Sequence, residues 1–461
     1  MILDISAGDT AWVLTAAALV LLMTPGLAFF YGGMVRAKSV LNMIMMSFIS
    51  MGTIGVLWVL FGYSMSFGDS LGFEVGATSD GGVTYFGLLG NPFQFAGLQG
   101  LMSPDSVAGT IPTLAFVAFQ ACFAIIAAAL VSGAIADRAS FGGWTLFTIL
   151  WGVLVYFPVA GWVFSFDGMT AEHGGWIANW LGALDFAGGT AIHINAGISG
   201  LALALVLGPR IGFGTKPMRP HNMTLVMLGA GLLWFGWFGF NAGSALSAGT
   251  TASVAWVNTL VATAAAMLAW LLVERFRDGH PTSLGAASGV VAGLVAITPA
   301  AGSVSPVGAI FVGGIASAAC AYAVGLKYKF GYDDSLDVVG VHFVGGLFGT
   351  VLIGLFADPN SPAGVAGLFY GGGVDQLWRQ AVGAIAVTVY AFVVSYLIAM
   401  LIKRTIGWRI TTADELSGID LVEHSEAGYD LSPVYYSNKV QRTLFLTKDD
   451  LPETETTGAS K

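Results

Sequence analysis

Charge is what this chain has least of: only 10% of its 461 residues are Asp, Glu, Lys or Arg, against about 25% in a soluble domain. A soluble fold of this length needs a charged shell, so the shortage excludes water as the main solvent. Cysteine is nearly missing. The two present, Cys122 and Cys320, sit inside apolar runs, which reads as two buried thiols and leaves out a disulfide framework. Basic residues are few, the net charge is −9, and no basic stripe is present to hold nucleic acid. No third His, Cys or carboxylate stands at ligand spacing in the apolar runs, so neither a catalytic metal nor another cofactor is expected.

What is abundant points to lipid. Hydrophobic residues make up 56% of the chain, and the mean hydropathy is +0.77. Glycine is plentiful at 64 residues, and small residues let membrane helices approach closely. Apolar runs of spanning length fall near 11–31, 41–65, 111–134, 143–166, 188–207, 222–244, 251–273, 282–300, 306–325, 338–357 and 377–402. The expectation is an all-α membrane protein with eleven transmembrane helices, the run at 282–300 being short and close to its successor.

Basic residues set the orientation. Seventeen of the 18 fall in one set of alternate loops or in the tail, and only Arg379 lies opposite. The positive-inside rule then puts the N-terminus outside and the C-terminus in the cytoplasm. The first run follows Asp4 and Asp9 rather than a basic segment, so it reads as a retained helix and not a cleaved signal. The chain divides into a membrane domain, 1–402, and a polar tail, 403–461. The end of that tail, from Lys448, has a disordered composition.

Two membrane histidines share a local pattern, Asp-x7-His-x3-Gly-x2-Gly: Asp185, His193, Gly197 and Gly200, then Asp334, His342, Gly346 and Gly349. They lie in the fifth and tenth runs. Five runs per half is an odd number, so repeats at about 11–207 and 222–357 would be inverted, with 377–402 as a last helix. Inverted-repeat transporters pass their cargo near the midplane between such halves. Each histidine lies eight residues past its aspartate, about 12 Å into the helix, where ionisable groups are costly and usually functional. The plainer reading is that each one merely hydrogen-bonds a neighbouring helix.

Aromatic residues stand near one end of two runs. Phe119 and Phe123 share a helical face, as do Phe240 and Ser244 in the stretch after Trp234 and Trp237. Most membrane aromatics face lipid or fill packing. Gathered beside a hydroxyl, they can replace part of the water around a small cation, at about 0.5–2 kcal/mol per cation–π contact.

Asp185-Phe-Ala-Gly-Gly-Thr-Ala-Ile-His193, Gly236-Trp-Phe-Gly-Phe240-Asn-Ala-Gly-Ser244, Asp337-Val-Val-Gly-Val-His342 and the tail segment Thr411 to His424 together resemble the ammonium transporter (Amt/Rh/methylammonium permease) family. The likeness runs from about Trp12 to Tyr429. It implies a homotrimer in the cytoplasmic membrane, with one pore per subunit and ammonium or methylammonium as cargo. It also implies that Phe123 and Phe240 form an outer gate, with Phe119, Phe164 and Ser244 at an external ammonium site. Asp185 would lie beneath that site, orienting it and assisting deprotonation. His193 and His342 would be the pore pair with Trp237 beside them, and Asp334 and Asp337 structural or inner-mouth carboxylates. Many bacterial members carry Trp where this chain has Phe164, and His where it has Gly161. The tail would couple subunits and offer a docking face to a PII-type signalling protein.

The expected function is ammonium conduction without covalent chemistry, so not enzymatic. Three other readings fit parts of the pattern: an ammonium sensor signalling through its tail, an uncoupled NH3 or CO2 channel, and a metabolite symporter sharing only the inverted-repeat plan.

Overall fold

The computed structural model describes residues 5–77 and 83–429. The acidic end of the tail lies outside these residues. Among the described residues ten helices are long and apolar enough to cross a membrane. They are α1 (Ala7–Met34), α2 (Ala37–Phe67), α3 (Thr113–Ile135), α4 (Phe141–Phe164), α5 (Gly189–Leu207), α6 (Met223–Gly243), α7 (Thr250–Arg277), α9 (Pro306–Phe330), α10 (Val339–Phe356) and α11 (Asp375–Thr405).

Between α7 and α9 lies α8 (Ser283–Ile297), which is apolar but only 15 residues long. At ~1.5 Å per residue it reaches about 22 Å, short of the ~30 Å hydrocarbon core. The run expected at 282–300 is therefore curtailed. Pro299, just past its end, has no N–H to continue the ladder.

Polar residues at run boundaries start the helices. Ser140, Asn222, Thr282 and Ser305 each accept a hydrogen bond from the backbone N–H three residues on, satisfying donors that a helix start leaves open. Small residues set the packing. α1 lies along α6, and a Cβ placed on Gly229 would sit 2.3 Å from the backbone nitrogen of Phe30. Only glycine permits that approach.

The two repeated motifs meet reciprocally. α5 opens with a π-helical turn, Gly189–Ile194, and α10 with another, Val339–Phe343, each carrying its histidine. Gly197, four residues past His193, packs on the residue after His342: a Cβ there would meet the Phe343 nitrogen at 2.3 Å. Gly346, four residues past His342, packs on the residue after His193, with the Ile194 nitrogen 3.1 Å from a Cβ. The two helices thus cross at equivalent points.

One part of the chain departs from helix. The segment between α2 and α3 holds an antiparallel hairpin, β1 (Ser70–Ala77) with β2 (Val83–Gly90). Phe86 of this hairpin stacks on Phe73 at 5.3 Å and on Trp176 at 4.9 Å.

The opposite end of the bundle is tied by arginine. Arg138, fully buried, donates to the carbonyls of Ala134, Ala136, Gly208 and Asp333 and to Ser335 Oγ. Arg210 forms a bidentate pair with Asp333 at 2.8 and 2.9 Å. The tail docks here through α12 (Thr412–Ser417) and α13 (Ile419–His424). Glu415 accepts from Ile211 N and pairs with Arg409, and Asp420 accepts from Leu41 N and Asn42 N.

Candidate functional site

At the end opposite the arginines a vestibule of about 320 Å³ opens among α3, α4 and the starts of α5 and the loop after α6. Phe116, Gln120, Phe123, Phe164, Asp185 and Ser244 are among its lining residues. Ser244 Oγ donates to the Phe240 carbonyl at 2.8 Å, a helical back-bond that leaves its lone pairs free to accept. Phe164 contributes a π-face without a ring N–H. Gly161 is buried, and the Ser66 carbonyl lies 3.1 Å from where its Cβ would be, so this packing leaves no room there for a large side chain.

Phe123 and Phe240 close the floor. Their rings stack at 4.3 Å between centroids and 27° between planes. Phe119, expected beside the cation, is fully buried instead. It sits edge-on against Phe123 at 4.7 Å and is absent from the vestibule wall. Its contact is with the gate ring, not with the open volume.

Asp185 lies at the rim, but its carboxylate faces its own backbone. It accepts from the N–H groups of Gly188, Gly189 and Thr190 at 2.7 Å each, from Thr190 Oγ1 at 2.5 Å and from Ala191 N at 3.2 Å. Five donors occupy both oxygens. This fits the orienting role implied by the resemblance and leaves little capacity for taking a proton directly. Asp334 does the same for α10, accepting from Val338 N at 3.1 Å and Val339 N at 2.7 Å. Burial raises the Asp334 carboxyl above its ordinary value, against the pull of the Lys327 charge.

Beneath the stacked phenylalanine rings lies a cavity of about 10 Å³, lined by His193, His342, Trp237 and Phe240 among aliphatic side chains. That is room for about one water-sized molecule. The two imidazoles face one another, Nδ1 to Nδ1 at 3.3 Å, with ring planes 14° apart. One Nδ1 must donate and the other accept. His193 Nε2 has no partner among the described residues. Trp237 stacks on His193 at 5.5 Å and 17°, and its own ring is pinned by Nε1 donating to Thr298 Oγ1 at 2.8 Å.

A second cavity of about 10 Å³ continues from His342 to Tyr31, Ser288 and Asp337. Asp337 pairs with Lys327 Nζ at 2.6 Å. His342 lines both small cavities. Among the described residues no group of three His, Cys, Asp or Glu is placed to hold a metal.

Sequence reasoning did not single out Phe116, Gln120, Thr298 or Tyr31. The first two share the helical face of Phe123, three to seven residues before it, and that spacing was the available signal. Thr298 and Tyr31 come from distant runs, and nothing local marks them.

A bundle of apolar helices holding a vestibule, a stacked phenylalanine pair at its floor and small, largely apolar cavities beneath is the build of a membrane transport protein for a small solute. The chain belongs to the Ammonium Transporter Family, whose pattern matches residues 11–429. It is 58% identical to an ammonium transporter of Mycobacterium tuberculosis over 446 residues, covering 92% of this chain and 91% of that one. The fold is similar to the crystal structure of Saccharomyces cerevisiae Mep2, at a TM-score of 0.80 and 31% identity, over 94% of each chain. It is also similar to a sensor Amt protein, at a TM-score of 0.81 and 28% identity, over 90% of this chain and 98% of that chain.

Proposed function

We propose that this protein takes up ammonium through the passage holding His193 and His342. The cation enters the vestibule, gives up water to the faces of Phe123 and Phe164 and to Ser244 Oγ, and loses its proton at the phenylalanine gate. Several cation–π contacts of about 0.5–2 kcal/mol each partly offset the several-kcal/mol cost of desolvating an ion. Asp185 acts by holding the start of α5, and so His193, in register. Neutral NH3 then crosses the small cavities, and the proton follows along the imidazoles or returns.

The observation that carries this reading is the Nδ1–Nδ1 contact of 3.3 Å between the two histidines, placed between cavities of about 10 Å³. Such a space fits NH3. Potassium, similar in size to ammonium but with no proton to give up, meets the full desolvation cost.

The reading includes eleven crossings, with α8 as a short one. It also includes two inverted repeats, suggested by the reciprocal glycine contacts, with the N-terminus and vestibule outside. The protein works as a homotrimer in the cytoplasmic membrane, and the docked tail presents the face that a PII-type protein would cover.

The test is current recorded on solid-supported membranes from reconstituted protein. Ammonium jumps should give current and potassium jumps none. His193→Ala should lose ammonium flux while its melting temperature stays near wild type. Equal ammonium and potassium currents would overturn the scheme. One feature favours a second reading, signalling: the tail is held by Glu415 against the loop between α5 and α6 and by Asp420 against the first turns of α2, as a readout device would be. Binding of ammonium with neither current nor uptake of labelled methylammonium would decide for it.

A further inference from the structure

An ammonium ion in the vestibule needs oxygen acceptors, and most of the wall is apolar. Asp185 is committed to its own backbone, with five donors on its two oxygens. Ser244 offers its lone pairs. Ser303 also lines the space, but it comes from the loop between α8 and α9, not from a helix that carries a gate ring.

Gln120 is the side chain whose polarity has no use so far. It stands in α3, the most apolar of the ten spanning helices, and is 9% exposed. A polar group in such a place is costly unless it is partnered or functional. Among the described residues nothing hydrogen-bonds its amide, and the amide is not one of the polar groups sealed from open space. The side chain lines the vestibule. Held by no partner, the amide is free to turn its carbonyl oxygen toward a cation.

Helix geometry puts this amide beside the gate. Gln120 lies three residues before Phe123 in α3, on the same face and ~4.5 Å nearer the vestibule end. Ser244 lies four residues past Phe240, ~6 Å nearer that end on α6. The two rings stack at 4.3 Å, which brings the helices together at this level. Gln120 and Ser244 therefore flank the stacked pair from its two helices, both on the vestibule side.

We propose that Gln120 is a specificity-determining residue: its carbonyl oxygen accepts one N–H of the cation while Ser244 Oγ accepts another. This rests on the uptake reading above and extends it. Acceptors on two helices select for the number of donors and not for charge alone. Ammonium has four N–H groups, one for each oxygen and two left for water or a ring face. Trimethylammonium has the same charge and a single N–H, so it satisfies one oxygen and leaves the other unpaired.

The experiment uses reconstituted full-length protein, with current on solid-supported membranes from ammonium chloride jumps. In Gln120→Met, which keeps the size and loses the acceptor, the half-maximal ammonium concentration is expected to rise about tenfold, the worth of one hydrogen bond to a charged group, with maximal current changed less. Gln120→Glu keeps acceptor oxygens at the same place and should hold that concentration at or below the wild-type value. The inhibition constant of trimethylammonium should rise less than twofold in Gln120→Met. Melting temperatures within a few degrees of wild type identify folded variants, and Gln120→Leu takes the place of Gln120→Met if that variant does not fold. An unchanged half-maximal concentration in folded Gln120→Met overturns the assignment. So does an equal rise in Gln120→Met and Gln120→Glu, which marks packing, or a trimethylammonium constant that rises as much as the ammonium one. Wild-type protein without ammonium current defeats the uptake reading itself, and this assignment with it.

Discussion

Asp185→Ala removes the acceptor of five hydrogen bonds at once, four from consecutive backbone N–H groups and one from Thr190 Oγ1. Each bond to a charged acceptor contributes about 1.5–3 kcal/mol net, and each buried donor left alone costs about 1–3 kcal/mol. These do not add in full, because the vestibule adjoins the turn and lets water reach part of it. The expected loss is about 3–5 kcal/mol, more than the ~0.5–2 kcal/mol of an ordinary helix cap. Asp185→Asn keeps the shape but has one acceptor oxygen where the carboxylate has two, so about half the loss is expected. The assay is a thermal melt of purified protein in detergent, run beside ammonium current from the same preparation. Stability and current should fall together, alanine worse than asparagine, because the cap holds the turn that carries His193. If Asp185→Ala melts like wild type and only the current disappears, the carboxylate serves the cargo directly and the capping argument fails.

Other outcomes follow from the same geometry. Ser244→Ala should raise the ammonium concentration at half-maximal current by roughly tenfold, the worth of one hydrogen bond to a charged group, with maximal current changed less. Gly197→Ala places a methyl 2.3 Å from the Phe343 nitrogen; overpacking of about 1–3 kcal/mol should lower the melting temperature and pry the two histidines apart, read as lost current. The Arg210–Asp333 pair gives an acid limit. Burial alone would raise the Asp333 carboxyl, but the hydrogen bonds and charge of Arg210 outweigh it and hold the group below its ordinary value. A lowered acid contributes stability above its unfolded value near ~3.9 and loses it as pH falls through the folded one. The difference in melting temperature between wild type and Asp333→Asn should therefore hold down to about pH 5 and shrink below ~4.

Much of this was written in the sequence, for a physical reason. Lipid demands long apolar runs, so ten of the eleven expected runs appear as full-length helices with ends shifted by a few residues. The paired histidines were legible because each carries its own aspartate and glycines at fixed spacing. The stacking of Phe123 on Phe240 was implied by likeness, and the structure brings the two rings together.

What was hidden depends on direction. Spacing cannot say that the Asp185 oxygens turn inward to their own backbone, or that Phe119 faces the gate ring. It cannot say that Arg138 collects carbonyls from three separate segments. The β1–β2 hairpin did leave a trace in the alternation of Leu71, Phe73 and Val75, which glycine-rich surroundings obscured. The fate of Glu415 and Asp420 was not legible, because an acidic helix looks solvated until its docking surface is known.

The imidazole contact through Nδ1 has a kinetic consequence. Suppose a proton arrives on one Nε2, another crosses the shared bond, and a third leaves from the far Nε2. Both rings then end as the opposite tautomer, and the polarity of the wire is reversed. Trp237 lies flat against His193, so turning that ring over is obstructed. A relay built this way has to be rewound after every transfer, and the rewinding event, not the crossing, sets how often it can fire.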